Sequence, residues 1–173
     1  MSRSVSFWSR KLHRWGVVIV ALPFLLILGT GMLLQFKKEA AWIQPPTLRG
    51  VGGDPAIGFA AILSAAMSAR EAEIEGWEDV DRLDVRPSHG LVKVQSRNGV
   101  EVQVDTSNGA VLQVMKRRSD LIETLHDGSW FHANVKLWLF FPVAIVLVVM
   151  WLTGMQLWLL PHWARRRKRR AQR

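Results

Sequence analysis

Four of the five histidines in this 173-residue chain stand at the rims of two long apolar runs. His13 precedes the first run, His126 and His132 precede the second, and His162 follows it. Neutral imidazole binds metal ions, so histidines gathered this way mark candidate metal chemistry, with contact to lipid headgroups as the plain alternative. The chain has no cysteine. Disulfides, thiolate metal sites, Cys-ligated iron–sulfur clusters and covalently attached c-type haem are thereby excluded. There is no Walker loop, no GxGxxG, no GxSxG and no HExxH. The fifth histidine, His89, lies in Pro-Ser-His-Gly and reads as a turn residue. The acids Glu71, Glu73, Glu75, Glu78, Asp79 and Asp81 read as a solvated face.

The runs must position the four. Leu137 to Leu160 is 24 residues without a charge, and Trp15 to Phe36 is 22. A helix rises about 1.5 Å per residue, so either run crosses a hydrocarbon core of roughly 30 Å. The first run exceeds a signal-peptide core of about 7–15 residues. No small-x-small cleavage site follows it, so it reads as an uncleaved anchor. Pro23 loosens it near the middle, which neighbouring helices tolerate.

Charge sets the orientation. All 14 acidic residues lie between Glu39 and Asp127, where 12 of the 23 Lys and Arg balance them across 37–136. The other basic residues are at the two ends of the chain. Basic ends beside apolar runs place both termini in the cytoplasm and the middle outside. This segregation also argues against nucleic acid as a partner and for membrane lipid. His13 and His162 then share the inner rim, while His126 and His132 share the outer one. Trp8, Trp15, Trp42, Trp130, Trp138, Trp158 and Trp163 form the interfacial belt.

The expected layout is a basic segment at 1–14 and a transmembrane helix at 15–36. A linker follows at 37–53, then a soluble module at 54–118 and a helical lead-in at 119–136. The second transmembrane helix covers 137–160 and a basic tail 161–173. Within the module, Asp54-Pro55 would start a helix reaching Arg70, with Phe59, Ile62, Leu63, Ala66 and Met67 at helical spacing. Alternation predicts strands around Val80–Val85, Leu91–Val94, Val100–Val104 and Ala110–Val114, the last two joined as a hairpin through Asp105–Gly109. The fold class is membrane α-helical, two spans, with an extracytoplasmic α+β module of one helix on an antiparallel sheet.

These pieces together resemble a known family. KLHRWGVVIVALPFLLILGTGMLL, VEVQVDTSNGAVLQV, LHDGSW and a second span with LTGMQLW are similar to the PepSY-associated transmembrane proteins, and 54–118 resembles their PepSY domain. Larger members carry four spans and include inner-membrane reductases that hold b-type haem on helix histidines and reduce ferric siderophores. The resemblance implies a haem b protein of the bacterial inner membrane. His13 and His126 occupy the motif positions LHRW and LHDG. His132 and His162 are ligand candidates by their place at the rims. Two histidines at each rim would suit one bis-imidazole haem near each surface, with Gly16, Gly29, Gly31 and Gly154 making room. Two spans alone do not make a four-helix bundle. The expectation is a homodimer or a larger membrane complex, serving a redox partner that the sequence leaves unknown. The alternatives are a cofactor-free PepSY module that binds or regulates a partner, or an accessory subunit of a larger complex.

A faint repeat completes the reading. Thr30-Gly31-Met32 lies near the outer end of the first span and Thr153-Gly154-Met155 near the inner end of the second. His13 stands ten residues before Pro23, as His132 does before Pro142. The two spans run in opposite directions, so this would be an inverted repeat.

Overall fold

A computed structural model describes residues 3–52, 54–132 and 134–171. The chain divides into two units, residues 1–31 with 124–173, and residues 32–123.

In the first unit, α1 (Arg3–Gln35) and α4 (Phe141–Ala171) are the long helices. Both contain a stretch long and apolar enough to cross a membrane, Phe7–Gln35 and Lys136–Leu160. The expected basic segment and first span are one continuous helix, because nothing in residues 3–35 interrupts it; Pro23 sits inside. The two helices run antiparallel. Ser9 donates to Gln156 Oε1 at 3.3 Å, and a Cβ on Gly16 would come within 3.0 Å of Met150 Cγ. Val20 and Val143 are buried, while Leu22, Leu25, Val148 and Trp151 are exposed. Such a surface suits lipid, which is as apolar as the side chains facing it.

The second unit is a four-stranded antiparallel meander, in the order β1 (Val80–Arg86), β2 (Leu91–Ser96), β3 (Val100–Asp105) and β4 (Val111–Lys116). Successive side chains alternate between faces. Val92, Val94, Val102 and Val104 therefore share one face. They bury against Ile62 and Ala66 of α2 (Phe59–Met67) and against Ala69, Ala72 and Ile74 beyond it. All four expected strands are present. The helix is shorter than Asp54–Arg70 because Ala56 and Ile57 both donate their N–H to the Thr106 carbonyl, at 2.9 and 3.2 Å, and the helix begins only after Gly58.

The opposite face of the sheet is buried as well, and it is polar. Lys93, Gln95, Glu101, Gln103 and Asp105 all lie there out of solvent. Residues 43–51, expected as linker, cover it. Leu48 N–H donates to Gln103 Oε1 at 2.9 Å, Gln103 Nε2 donates to the Pro46 carbonyl at 2.8 Å, and Val51 N–H donates to Asp105 Oδ2 at 2.7 Å. The Ile43 carbonyl accepts from Arg118 and Ser119 N–H at 2.9 and 2.8 Å. Pro45 and Pro46 have no N–H to give a ladder, and the other backbone groups of this segment meet long polar side chains rising from the sheet. Gly50 N–H donates to the His89 carbonyl at 2.8 Å, and a Cβ at Gly50 would lie 2.4 Å from the Gly90 carbonyl oxygen, so this crossing requires glycine.

Glu101 is the centre of the polar layer. It is 1% exposed and pairs with Lys93 at 3.1 Å and with Arg117 at 3.1 Å. Arg117 continues to Asp120 at 3.0 Å, near the start of α3 (Ser119–Asp127), and Asp120 also accepts from Gln95. Buried charge survives only when paired and hydrogen-bonded, and every member of this chain of contacts is. Asp105 accepts from the Ser107 hydroxyl first and then from the N–H groups of Val51 and Ser107; together these hold its carboxyl below the ordinary value against the opposing effect of burial.

Candidate functional site

The lead-in to α4 shows how the sequence sets up the first imidazole. α3 ends at Asp127, and Gly128 follows at φ +81. Asp127 Oδ1 accepts from Ser129 N–H at 2.9 Å and from Ser129 Oγ at 2.6 Å, closing a local turn. Its Oδ2 accepts from Lys136 Nζ at 2.7 Å. Burial works to raise the Asp127 carboxyl, but the bonds from Lys136 and Ser129 outweigh it and hold it at about 2. Gly128 lies under the Phe140 ring, where a Cβ would sit 2.4 Å from two ring carbons. Phe140 is brought there by a π-wound segment, Lys136–Phe140, that leads into α4. The Asp-Gly-Ser run is thus a fixed elbow, and His126 is the last residue before it.

His126 docks on α1. Its Nδ1 is 3.1 Å from the Ile27 carbonyl oxygen and 3.1 Å from Thr30 Oγ1. The Thr30 hydroxyl already donates its proton to the Leu26 carbonyl at 2.6 Å. A carbonyl only accepts, and this hydroxyl has a lone pair left to offer. Nδ1 must therefore carry a proton, and in the neutral ring the lone pair is on Nε2. Gly31 lets the ring approach, since a Cβ there would come within 3.2 Å of His126 Cε1.

The other end of the helix pair repeats the arrangement with the roles exchanged. His13 on α1 places Nδ1 3.4 Å from Thr153 Oγ1 on α4. The Thr153 hydroxyl donates to the Met150 carbonyl at 2.9 Å, so it too can only accept from the ring. In a neutral His13 this contact calls for the same tautomer, with the lone pair on Nε2. Gly154 provides the gap, with a would-be Cβ 3.6 Å from His13 Cε1. The two Thr-Gly steps noted in the sequence are each the seat of a histidine from the other segment.

His132 differs. It is exposed, and its Nδ1 accepts from Asn134 N–H at 3.2 Å, which leaves the proton on Nε2. It belongs to the irregular stretch after α3, so the expected helical lead-in at 119–136 is helical over Ser119–Asp127 but not at His132. The side chain of His162 lies outside the described residues. His89 is within 3.1 Å of Ser88 Oγ in an exposed turn. No cluster of three or more His, Asp or Glu with metal-site geometry occurs among the described residues.

A groove of about 860 Å³ runs beside His13 between α1 and α4. Val17, Val20, Phe24, Leu147 and Trp151 line it, and His13 is its one ionisable group among the described residues. A large flat apolar group with one iron ligand at its edge suits such a lining, and pockets of roughly 300–1,000 Å³ hold small molecules and cofactors. The residues present fit a haem to this extent: an imidazole with Nε2 as acceptor, a glycine beneath the ring, and an apolar wall. Each end contributes one imidazole of that kind among the described residues. Sequence reasoning missed the parts played by Thr30, Thr153 and the Ile27 carbonyl; the repeated Thr-Gly-Met was the signal for the two threonines.

Comparison with known proteins adds one match. A family model described as the PepSY-associated TM region matches residues 10–173. No curated protein and no solved structure matches the chain.

Proposed function

The chain belongs to the PepSY-associated transmembrane family, and from that premise we propose that it is a b-type haem electron-transfer protein or subunit of the bacterial inner membrane. The termini are cytoplasmic and residues 37–136 face the periplasm, following the basic ends. His13 and His126 are the axial ligands that this chain contributes, one near each membrane surface. A bound haem supplies a one-electron iron couple.

The observation that carries the reading is the matched tethering of both rings through Nδ1. Metal-bound histidines commonly donate their second ring N–H to a fixed acceptor, which sets orientation and raises ligand basicity. The groove beside His13 is lined by apolar side chains, and exposed Arg10, Lys11 and Arg14 at the same end of α1 suit anionic side groups. A second copy of the chain supplies the missing ligands at each level, because a bundle core needs more helices than two. His132 or His162 would be the local alternative, His132 after exchange of its ring proton. The acceptor is an extracytoplasmic oxidant of the ferric or siderophore class.

The test is a reduced-minus-oxidised visible spectrum of the full chain, purified in detergent from haem-replete cells. A b-type band is expected. It should be lost at one site in His13→Ala and at the other in His126→Ala, with membrane insertion unchanged. Absence of the band in the parent protein refutes the reading.

A further inference from the structure

The two histidines are held by different numbers of acceptors, and that difference has a consequence. His126 Nδ1 has two, the Ile27 carbonyl and Thr30 Oγ1, both at 3.1 Å. His13 Nδ1 has Thr153 Oγ1 alone among the described residues, at 3.4 Å. Each threonine hydroxyl is itself oriented by its own helix: Thr30 by the Leu26 and Ile27 carbonyls at 2.6 and 3.2 Å, Thr153 by the Met150 carbonyl at 2.9 Å. A free hydroxyl is ambivalent and would serve either tautomer of imidazole. A hydroxyl whose proton is committed to a helix carbonyl serves one.

We propose that Thr153 and Thr30 are positioning residues that fix the ring tautomer of the opposing histidine, with Thr153 essential for His13 and Thr30 redundant for His126. The helix carbonyl sets the hydroxyl, the hydroxyl sets Nδ1–H, and Nε2 is left as the lone-pair nitrogen. Glycine at the next position gives the ring its seat against the backbone. The inference rests on the haem reading for its purpose, but its geometry concerns the protein alone.

The experiment uses the full chain in detergent, labelled with ¹⁵N-histidine and free of haem. Imidazole nitrogen shifts separate Nδ1–H from Nε2–H. Both His13 and His126 are expected in the Nδ1–H form. Thr153→Val should turn His13 into a mixture of tautomers and leave His126 alone. Thr30→Val should leave His126 in the Nδ1–H form, because the Ile27 carbonyl remains. Thr153→Ser should restore His13. In the haem-loaded protein, Thr153→Val should keep the b-type spectrum, weaken haem affinity about 10–100-fold as loss of an outer-shell partner does, and raise the reduction potential by making the ligand less basic. Nε2–H at His13 in the parent protein, or no change in Thr153→Val, overturns the proposal. A protein that never binds haem refutes the function above, while the ring nitrogens still decide the positioning claim.

Discussion

Gly128→Ala isolates the elbow that carries His126. Two effects combine there. The backbone sits at φ +81, where an L side chain costs about 1–2 kcal/mol. The added methyl would also lie 2.4 Å from Phe140 Cδ2 and Cε2, less than any real contact, and the ring is itself buried. Forcing a methyl into a filled site costs typically about 1–3 kcal/mol. The sum is about 2–5 kcal/mol, a large share of a typical domain's stability. Gly29→Ala is the matched control, since nothing lies within 4 Å of its would-be Cβ and it is already helical. There the exchange should be neutral or stabilising by up to about 1 kcal/mol. The assay is reversible unfolding of the full chain in mixed detergent micelles, followed by tryptophan fluorescence. In the same samples His126 should lose its fixed ring tautomer in Gly128→Ala and keep it in Gly29→Ala. Equal stabilities for the two variants would refute the argument, because it distinguishes them only by surroundings.

Glu101→Gln should destabilise the sheet unit by about 3–5 kcal/mol, the usual result of removing one partner from a buried ion pair, because Lys93 at 4% exposure loses its counter-charge. Unfolding of the full chain in urea measures it, and Lys93→Met combined with Glu101→Met should recover most of the loss. Acid should loosen the elbow: the folded Asp127 carboxyl sits at about 2 against an ordinary 3.8. A depressed folded value contributes stability that is complete above pH 4 and lost as pH falls toward 2. Histidine and Phe140 NMR signals followed over that range should shift in the parent protein, and Asp127→Asn should abolish the dependence.

The spans and the hairpin were legible because their signals are local. Runs without charge and strict alternation of Val with polar residues need no knowledge of the rest of the chain. The strap at 43–51 was not. Its prolines and glycines have the composition of a linker, and its partners Gln103 and Asp105 look like ordinary outward residues of a one-sided sheet. Only the tertiary fold reveals that Lys93 and Glu101 are buried. The helix start shifted from Asp54 to Phe59 for a similar reason, since Thr106 claims the N–H groups of Ala56 and Ile57. For the histidines, the motif positions and the Thr-Gly-Met echo were legible. The sequence did not reveal that each threonine receives the histidine of the other segment, because that depends on the elbow at Gly128 and on the register of α1 with α4.

The Thr30 hydroxyl satisfies itself on Leu26 and Ile27 of its own helix. Its later partner, His126, lies almost a hundred residues further along the chain. During synthesis Thr30 therefore enters the bilayer with its hydroxyl already satisfied, and the outer half of the first helix can remain there while the ribosome completes the middle of the protein. The seat is ready before its occupant exists. Assembly of the pair is then a late docking step between finished parts, and a chain stalled before residue 126 should leave a stable, singly anchored helix.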